Sequence, residues 1–223
     1  MIEISIMHIQ EVRDSKSLEY YLKDLPKEIQ RKVMKFHFED DRKRSLLGYM
    51  MSRYMLKKFF HLKDGEIIVE KNEYGKPFIK DNPEIHYNIS HSKDYVICGV
   101  NDKEIGIDIE YMKDLDINIA ERFFTHQEYL MLMSTPENEK LEMFYKLWTL
   151  KESYVKYRGT GLSLPLNSFS FEIIKGRIYF QSGIGDTPCF KNFNEIEDYQ
   201  VSVCSKNRIC NERLQHLKLE NIE

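Results

Sequence analysis

Two short runs concentrate the residue types able to do chemistry: Ile105-Gly106-Ile107-Asp108-Ile109-Glu110 and Trp148-Thr149-Leu150-Lys151-Glu152-Ser153. The first reads as a buried strand whose only ionisable groups, Asp108 and Glu110, stand two positions apart. Side chains two apart on a strand share a face at a spacing of about 7 Å. Both carboxylates are therefore expected on one face, and Ile105, Ile107 and Ile109 on the other. Two like charges on an apolar strand repel each other and lose hydration unless a cation sits between them. A hard divalent ion is the simplest remedy, and Mg²⁺ suits two or three carboxylates together with phosphate oxygens. Glu152, on a predicted helix, could supply the third carboxylate, with Lys156 one turn further on. Each feature also has a plainer reading. Solvated acids on an exposed edge strand give the same pattern, and Glu152 with Lys156 is also an ordinary i,i+4 surface pair worth roughly 0.3 kcal/mol.

Other polar clusters are compatible with a phosphate ligand. Tyr87-Asn88-Ile89-Ser90-His91-Ser92 ends a predicted strand, where Ser90, His91 and backbone N–H groups could meet a phosphate. A turn with a hydrogen-bonded histidine fits those residues equally. Lys76, in the turn Glu73-Tyr74-Gly75-Lys76-Pro77, is either a solvated loop lysine or a phosphate contact. Lys32 and Arg44 lie on basic helix faces, most of which are merely solvated. Trp148, four residues before Glu152, shares its helical face and is expected to pack beneath the acids.

The elements that must position these groups read as an α+β chain. After an N-terminal strand, helices are predicted at Ser17 to Leu22, from Pro26 to about Phe38, and after an Asp41 cap. Strands follow at Glu66 to Val69, Glu84 to Ile89 and Tyr95 to Val100, and then comes the carboxylate strand. The second half predicts helices over Asn118 to Arg122, Thr125 to Met133 and Pro136 to Tyr157, the last ended by Gly159-Thr160-Gly161. Strands are then expected at Ser168 to Ile174, Arg177 to Phe180, Cys189 to Asn192 and Tyr199 to Cys204, and the charged tail after Lys206 carries no signal. Helices followed by strands, twice over, suggest an α+β protein with two similar-sized lobes.

Composition sets the outer bounds. With 223 residues, 42% hydrophobic and 13% aromatic, the chain can bury a core. A formal net charge of −3 provides no global field for nucleic acid, despite basic clusters from Lys27 to Lys35 and Arg42 to Arg44. Cys98, Cys189, Cys204 and Cys210 form no CxxC pair, no secretory signal is evident, and no run approaches the ~20 apolar residues of a membrane span. A soluble cytoplasmic protein is expected.

Taken in order along the chain, the motifs become specific. Gly75-Lys76-Pro77, Tyr87 to Ser92, Gly106 to Glu110, Phe123-Phe124-Thr125-x-x-Glu128-Tyr129, Phe144 to Lys156 and Gly159-x-Gly161-Leu162 form a series that resembles the 4′-phosphopantetheinyl transferases of the surfactin-synthetase-associated type. The resemblance implies a pseudo-two-fold pair of α+β lobes, 1–102 and 103–223, with coenzyme A bound between them. It implies transfer of the phosphopantetheine arm of coenzyme A to a serine of an acyl or peptidyl carrier protein, with release of adenosine 3′,5′-bisphosphate, by a monomer. By matching position it makes Asp108, Glu110 and Glu152 the ligands of Mg²⁺, with Mn²⁺ not separable from it. Lys76, Ser90 and His91 become contacts to the coenzyme A phosphates, Lys156 a pyrophosphate or transition-state partner, and Lys32 with Arg44 the grip on the 3′-phosphate. Family members often carry a basic residue where Ile29 stands here, a loss that Lys27 or Arg31 would offset.

The implied reaction needs charge neutralisation at phosphoryl oxygens and activation of a poor nucleophile. Glu152 is the preferred general base and Glu110 its substitute, while Lys156 and His91 supply charge or donors to the leaving diphosphate. Two rival readings carry weight. A Mg²⁺-dependent nuclease also gathers acids and a lysine, but Tyr111 and Met112 stand where its Glu-x-Lys would follow. The other is a carrier- or coenzyme A-binding module without turnover. The carrier surface is expected after Glu110 and around Phe123, Phe124 and Tyr129, aromatics that serve equally well as core.

Overall fold

The computed structural model describes residues 2–183, 185 and 187–222. Met1 and the side chain of Leu162, which closes the last motif, lie outside the described residues. The chain opens with β1 (Ile2–His8), α1 (Ser15–Leu22), α2 (Lys27–Met34) and the long α3 (Glu39–Phe60). A small hairpin, β2 (Val69–Lys71) and β3 (Pro77–Ile79), precedes β4 (His86–Ser92), β5 (Tyr95–Asn101) and β6 (Ile105–Tyr111). The second half comprises α4 (Ala120–Phe123), α5 (His126–Ser134), α6 (Lys140–Arg158), the hairpin of β7 (Phe169–Ile174) and β8 (Arg177–Ser182), then β9 (Cys189–Phe193), β10 (Tyr199–Ser205) and β11 (Gln215–His216).

The two halves repeat one topology. In the first, strand, long helix and hairpin lead to two more strands in the sheet order β1-β5-β4; in the second the same succession gives β6-β10-β9. Helix α3 packs on β5 and β4, and α6 packs on β6 and β10. Each helix buries an apolar stripe in its own lobe, Leu46, Leu47, Met51 and Met55 in one and Leu147, Leu150 and Tyr154 in the other. A third cluster lies between the sheets, where Ile4, Ile6 and Ile97 meet Ile105, Ile107, Ile109, Val201 and Val203.

Several element ends differ from the sequence expectation. Helix α3 begins at Glu39 rather than after an Asp41 cap, because Glu39, Asp40 and Asp41 all suit the positive N-terminal turn. Helix α2 stops at Met34, four residues short of Phe38. Residues Asp64–Glu66 form a 3-10 turn, which displaces the expected strand to Val69–Lys71. Glu137–Glu139 form another 3-10 turn, so α6 starts at Lys140. The tail after Lys206 is structured: β11 adds to β1 in parallel, and Leu217 and Leu219 enter the first lobe's core. No helix among the described residues is long and apolar enough to cross a membrane.

Gly106 sets how closely α6 can approach β6. A Cβ at that position would fall inside the Ser153 carbonyl oxygen and the Tyr157 backbone nitrogen, and neither can yield as a side-chain tip can. Gly106→Ala is therefore expected to cost about 3 kcal/mol or more. It should lower the midpoint of thermal unfolding by several degrees, whereas Gly65→Ala, which meets nothing, should leave the midpoint near wild type.

Candidate active site

Along β6 the alternation places Gly106, Asp108 and Glu110 on one side, with Ile105, Ile107 and Ile109 fully buried in the core on the other. The strand is not an exposed edge. One flank pairs with β10, Asp108 opposite Ser202 and Glu110 opposite Gln200. The other flank meets β4, whose side chains take the place of a backbone ladder. Asn88 Oδ1 accepts from Ile107 N at 2.9 Å, Ser90 Oγ from Ile109 N at 3.4 Å, and Ser92 Oγ from Tyr111 N at 3.0 Å.

The same hydroxyls orient the acids. Ser90 Oγ donates to Asp108 Oδ1 at 3.0 Å and Ser92 Oγ to Glu110 Oε2 at 2.9 Å. From α6, Lys156 Nζ donates to Asp108 Oδ1 at 2.6 Å and to Ser90 Oγ at 2.8 Å. Ser90 thus uses its one donor and both acceptor positions. Asp108 is 3% exposed, and its second oxygen, Oδ2, is buried without a hydrogen-bond partner. Glu152 is half-buried and its side chain makes no hydrogen bond among the described residues.

The electrostatics follow from this crowding. Burial, then the charge of Asp108, raises Glu110 to about 7 against the opposing pull of Ser92 and Lys156. Burial and Asp108 also raise Glu152, with Lys156 opposing. The three carboxylates therefore feel one another. Among the described residues they are not gathered into a ready-made three-ligand metal site, and the Lys156 ammonium is the cation on Asp108. The donor set nonetheless fits a hard divalent ion, with oxygen ligands alone, excess negative charge, and one buried carboxylate oxygen lacking a partner.

The remaining residues singled out in the sequence divide into two groups. His91 is held below the ordinary imidazole range by partial loss of hydration, then by the charges of Arg44 and Lys156. Arg44 Nη2 pairs with Asp41 at 2.7 Å, and its Nη1 holds the Lys93 carbonyl in the β4–β5 turn. Lys32 is exposed on α2, which packs on α3, and no hydrogen bond ties it to the acids. Ile29 packs against the first lobe's core, while Lys27 and Arg31 stay exposed. Lys76 is bonded to two backbone carbonyls, Tyr157 O at 2.9 Å and Ile105 O at 3.2 Å, and burial lowers it to about 8.

Two motif residues whose roles sequence reasoning left unassigned form the most buried ion pair in the second lobe. Lys151 Nζ meets Glu128 Oε2 at 2.8 Å with both side chains fully buried, and also donates to Leu166 O and Phe169 O at 2.8 Å. Glu128 further accepts from Thr125 N at 2.7 Å, a capping box for α5, and from Phe171 N at 2.8 Å. The available signal was the Thr-x-x-Glu box and a lysine inside an apolar helical run. Trp148 stacks on Phe144 at 5.9 Å and meets Phe123 edge-on at 5.5 Å. Phe124 is core, and Tyr129 packs against it.

Residues 104–204 match the family described as 4′-phosphopantetheinyl transferase superfamily, and residues 13–102 match 4′-phosphopantetheinyl transferase, N-terminal. The 4′-phosphopantetheinyl transferase ffp of Bacillus subtilis is 41% identical over 176 residues, 78% of this chain and 79% of its own. The 4′-phosphopantetheinyl transferase Sfp of Bacillus subtilis (strain 168) is 37% identical over 189 residues, 84% of each chain. The chain belongs to the 4′-phosphopantetheinyl transferase family. A further member, gsp of Aneurinibacillus migulanus, is 38% identical over 169 residues, 76% of this transferase and 70% of its own chain. The shared stretches cover both lobes, which sets the nuclease reading aside.

Two outcomes follow for this transferase. Lys151→Met leaves Glu128 charged and buried without its cation, which should cost about 3–5 kcal/mol in denaturant unfolding; the double variant with Glu128→Gln should recover much of that loss. Separately, folded Glu110 holds its proton up to about 7 and the unfolded chain releases it near 4.5. The folded state then binds more protons across that window, so this group's contribution to stability falls as pH rises through it. Saturating Mg²⁺ should raise the melting midpoint more at about pH 8 than at about pH 5. Equal shifts at both pH values would refute an ion held by these carboxylates.

Proposed function

We propose that this transferase moves the 4′-phosphopantetheine group of coenzyme A onto a serine hydroxyl of an apo acyl or peptidyl carrier protein at the acid cluster between β6 and α6. The observation that carries this placement is Asp108, buried, held on one oxygen by Ser90 and Lys156 and unpartnered on the other. Asp108, Glu110 and Glu152 would hold Mg²⁺, and the ion when bound supplies charge neutralisation and polarisation of the diphosphate. Lys156 keeps a cation beside that diphosphate and has a third N–H to offer it. Ser90 aims Asp108. His91, neutral near pH 7, offers a ring N–H to a phosphate oxygen, and Arg44 with Lys32 gives the 3′-phosphate a cationic edge.

The carrier serine oxygen forms a bond to the β-phosphorus of the coenzyme A pyrophosphate. The bond from that phosphorus to the bridging oxygen breaks, and adenosine 3′,5′-bisphosphate leaves. Glu152 takes the serine proton, because it alone of the three acids is not committed to a hydroxyl or ammonium group. Burial, then the charge of Asp108, raises its pKa above the ordinary carboxylate range, which makes it a stronger base than a solvated glutamate. A groove of about 630 Å³ opens beside Glu110, walled by Leu115, Ile119, Phe144, Tyr145 and Trp148. We assign the carrier to this groove. We read the enzyme as a monomer acting in the cytoplasm.

Incubated with coenzyme A, Mg²⁺ and an apo carrier, the protein should add the mass of one phosphopantetheine to the carrier. No addition on any of a panel of carriers would overturn the proposal. Asp108→Ala should lower transfer by more than about 100-fold while the chain remains folded. Full activity in that variant would remove Asp108 from the metal site.

A further inference from the structure

We propose that the turn between β2 and β3 is the C-terminal cap of α6, and that Asn72 and Lys76 are positioning residues for Lys156 rather than contacts to a substrate phosphate. The inference rests on the transfer role given to Lys156 above and assigns Lys76 a different part in it.

The last four carbonyls of a helix have no partner within it, and the last turn frays unless something else holds them. Lys156 lies in that turn. Val155 O is bonded by Gly159 N at 2.9 Å, with Gly159 left-handed at φ 66°. The next partners come from the other lobe. Lys76 Nζ donates to Tyr157 O at 2.9 Å, and Asn72 Nδ2 donates to Gly159 O at 2.9 Å.

The cap is itself stiff. Asn72 Oδ1 accepts from Tyr74 N at 3.0 Å and Lys76 N at 2.8 Å, while Asn72 N donates back to Lys76 O at 3.0 Å. A side chain at Gly159 would run into Lys76 Cδ at 2.6 Å, so the turn and the helix end fit closely. The same ammonium reaches Ile105 O at 3.2 Å, three residues before Asp108. One lysine therefore ties the end of the helix carrying Lys156 to the start of the strand carrying Asp108, the two partners that meet at 2.6 Å. A lysine serving a solvent-borne phosphate would face water; this one is largely desolvated, which lowers it to about 8.

The test compares wild type with Lys76→Met and Asn72→Asp. The second keeps the oxygen that closes the turn and replaces the donor to Gly159 O with a carboxylate oxygen that cannot bond it. Three quantities are read: kcat for carrier modification, calorimetric affinity for adenosine 3′,5′-bisphosphate, and amide hydrogen exchange over residues 156–159. Both variants should lose at least about tenfold in kcat and exchange faster in the last turn, with bisphosphate affinity within about threefold of wild type. A loss of affinity of about tenfold or more in Lys76→Met with exchange unchanged would make Lys76 a phosphate ligand and overturn the proposal. Unchanged kcat or exchange in Asn72→Asp would overturn it too, and that variant serves if Lys76→Met does not fold. Wild type that exchanges slowly in this turn yet modifies no carrier would defeat the transfer reading and leave the cap standing.

Discussion

The open flank of β6 carries the amides of Ile107, Ile109 and Tyr111, which no neighbouring backbone satisfies. Each such group, buried and unpaired, would cost about 1–3 kcal/mol. Asn88, Ser90 and Ser92 supply the missing acceptors from β4, and alternate positions on that strand suffice because the side-chain period on each strand is two. The arrangement joins two sheets without fusing them. It also leaves two hydroxyl protons to spend, and these go to Asp108 and Glu110. The seam between the lobes and the orientation of the acids are thus one set of hydrogen bonds, and neither can be altered without the other.

The repeated topology shows where the acid cluster arises. Strand β6 corresponds to β1, and each has one flank paired within its own lobe, by β10 and β5. On β1 the second flank is closed by the backbone of β11, with Ser5 and Ile6 opposite Gln215 and His216. On β6 it is closed by side chains. A backbone ladder would have consumed the amides and left no hydroxyls beside the acids. The acid cluster lies where the repeat is completed by serine and asparagine side chains instead of by a backbone ladder.

Much of this was readable from residue types. Alternation in Ile105 to Glu110 gave the strand, its buried isoleucines and the shared side of the two acids. The spacing of Glu152 and Lys156 placed both on the helix that packs there. What escaped was set by partners distant in sequence. Nothing local says that Ser92 serves Glu110, or that Lys76 is drawn into a helix end rather than left in water. Nor does local sequence reveal that Lys151 in an apolar run answers Glu128, which lies on another helix. Element ends slipped where several residues qualify equally, as with the three acids that open α3. The tail carried no signal because two residues of strand leave no periodicity to detect.

That tail reverses the usual order of assembly. The first lobe has its long helix and most of its sheet within the first hundred residues, yet Gln215, His216, Leu217 and Leu219 return to finish it. On the ribosome, β1 waits with a bare flank while the whole second lobe emerges. The half made first is the half sealed last, and trimming the end of the chain would injure its beginning.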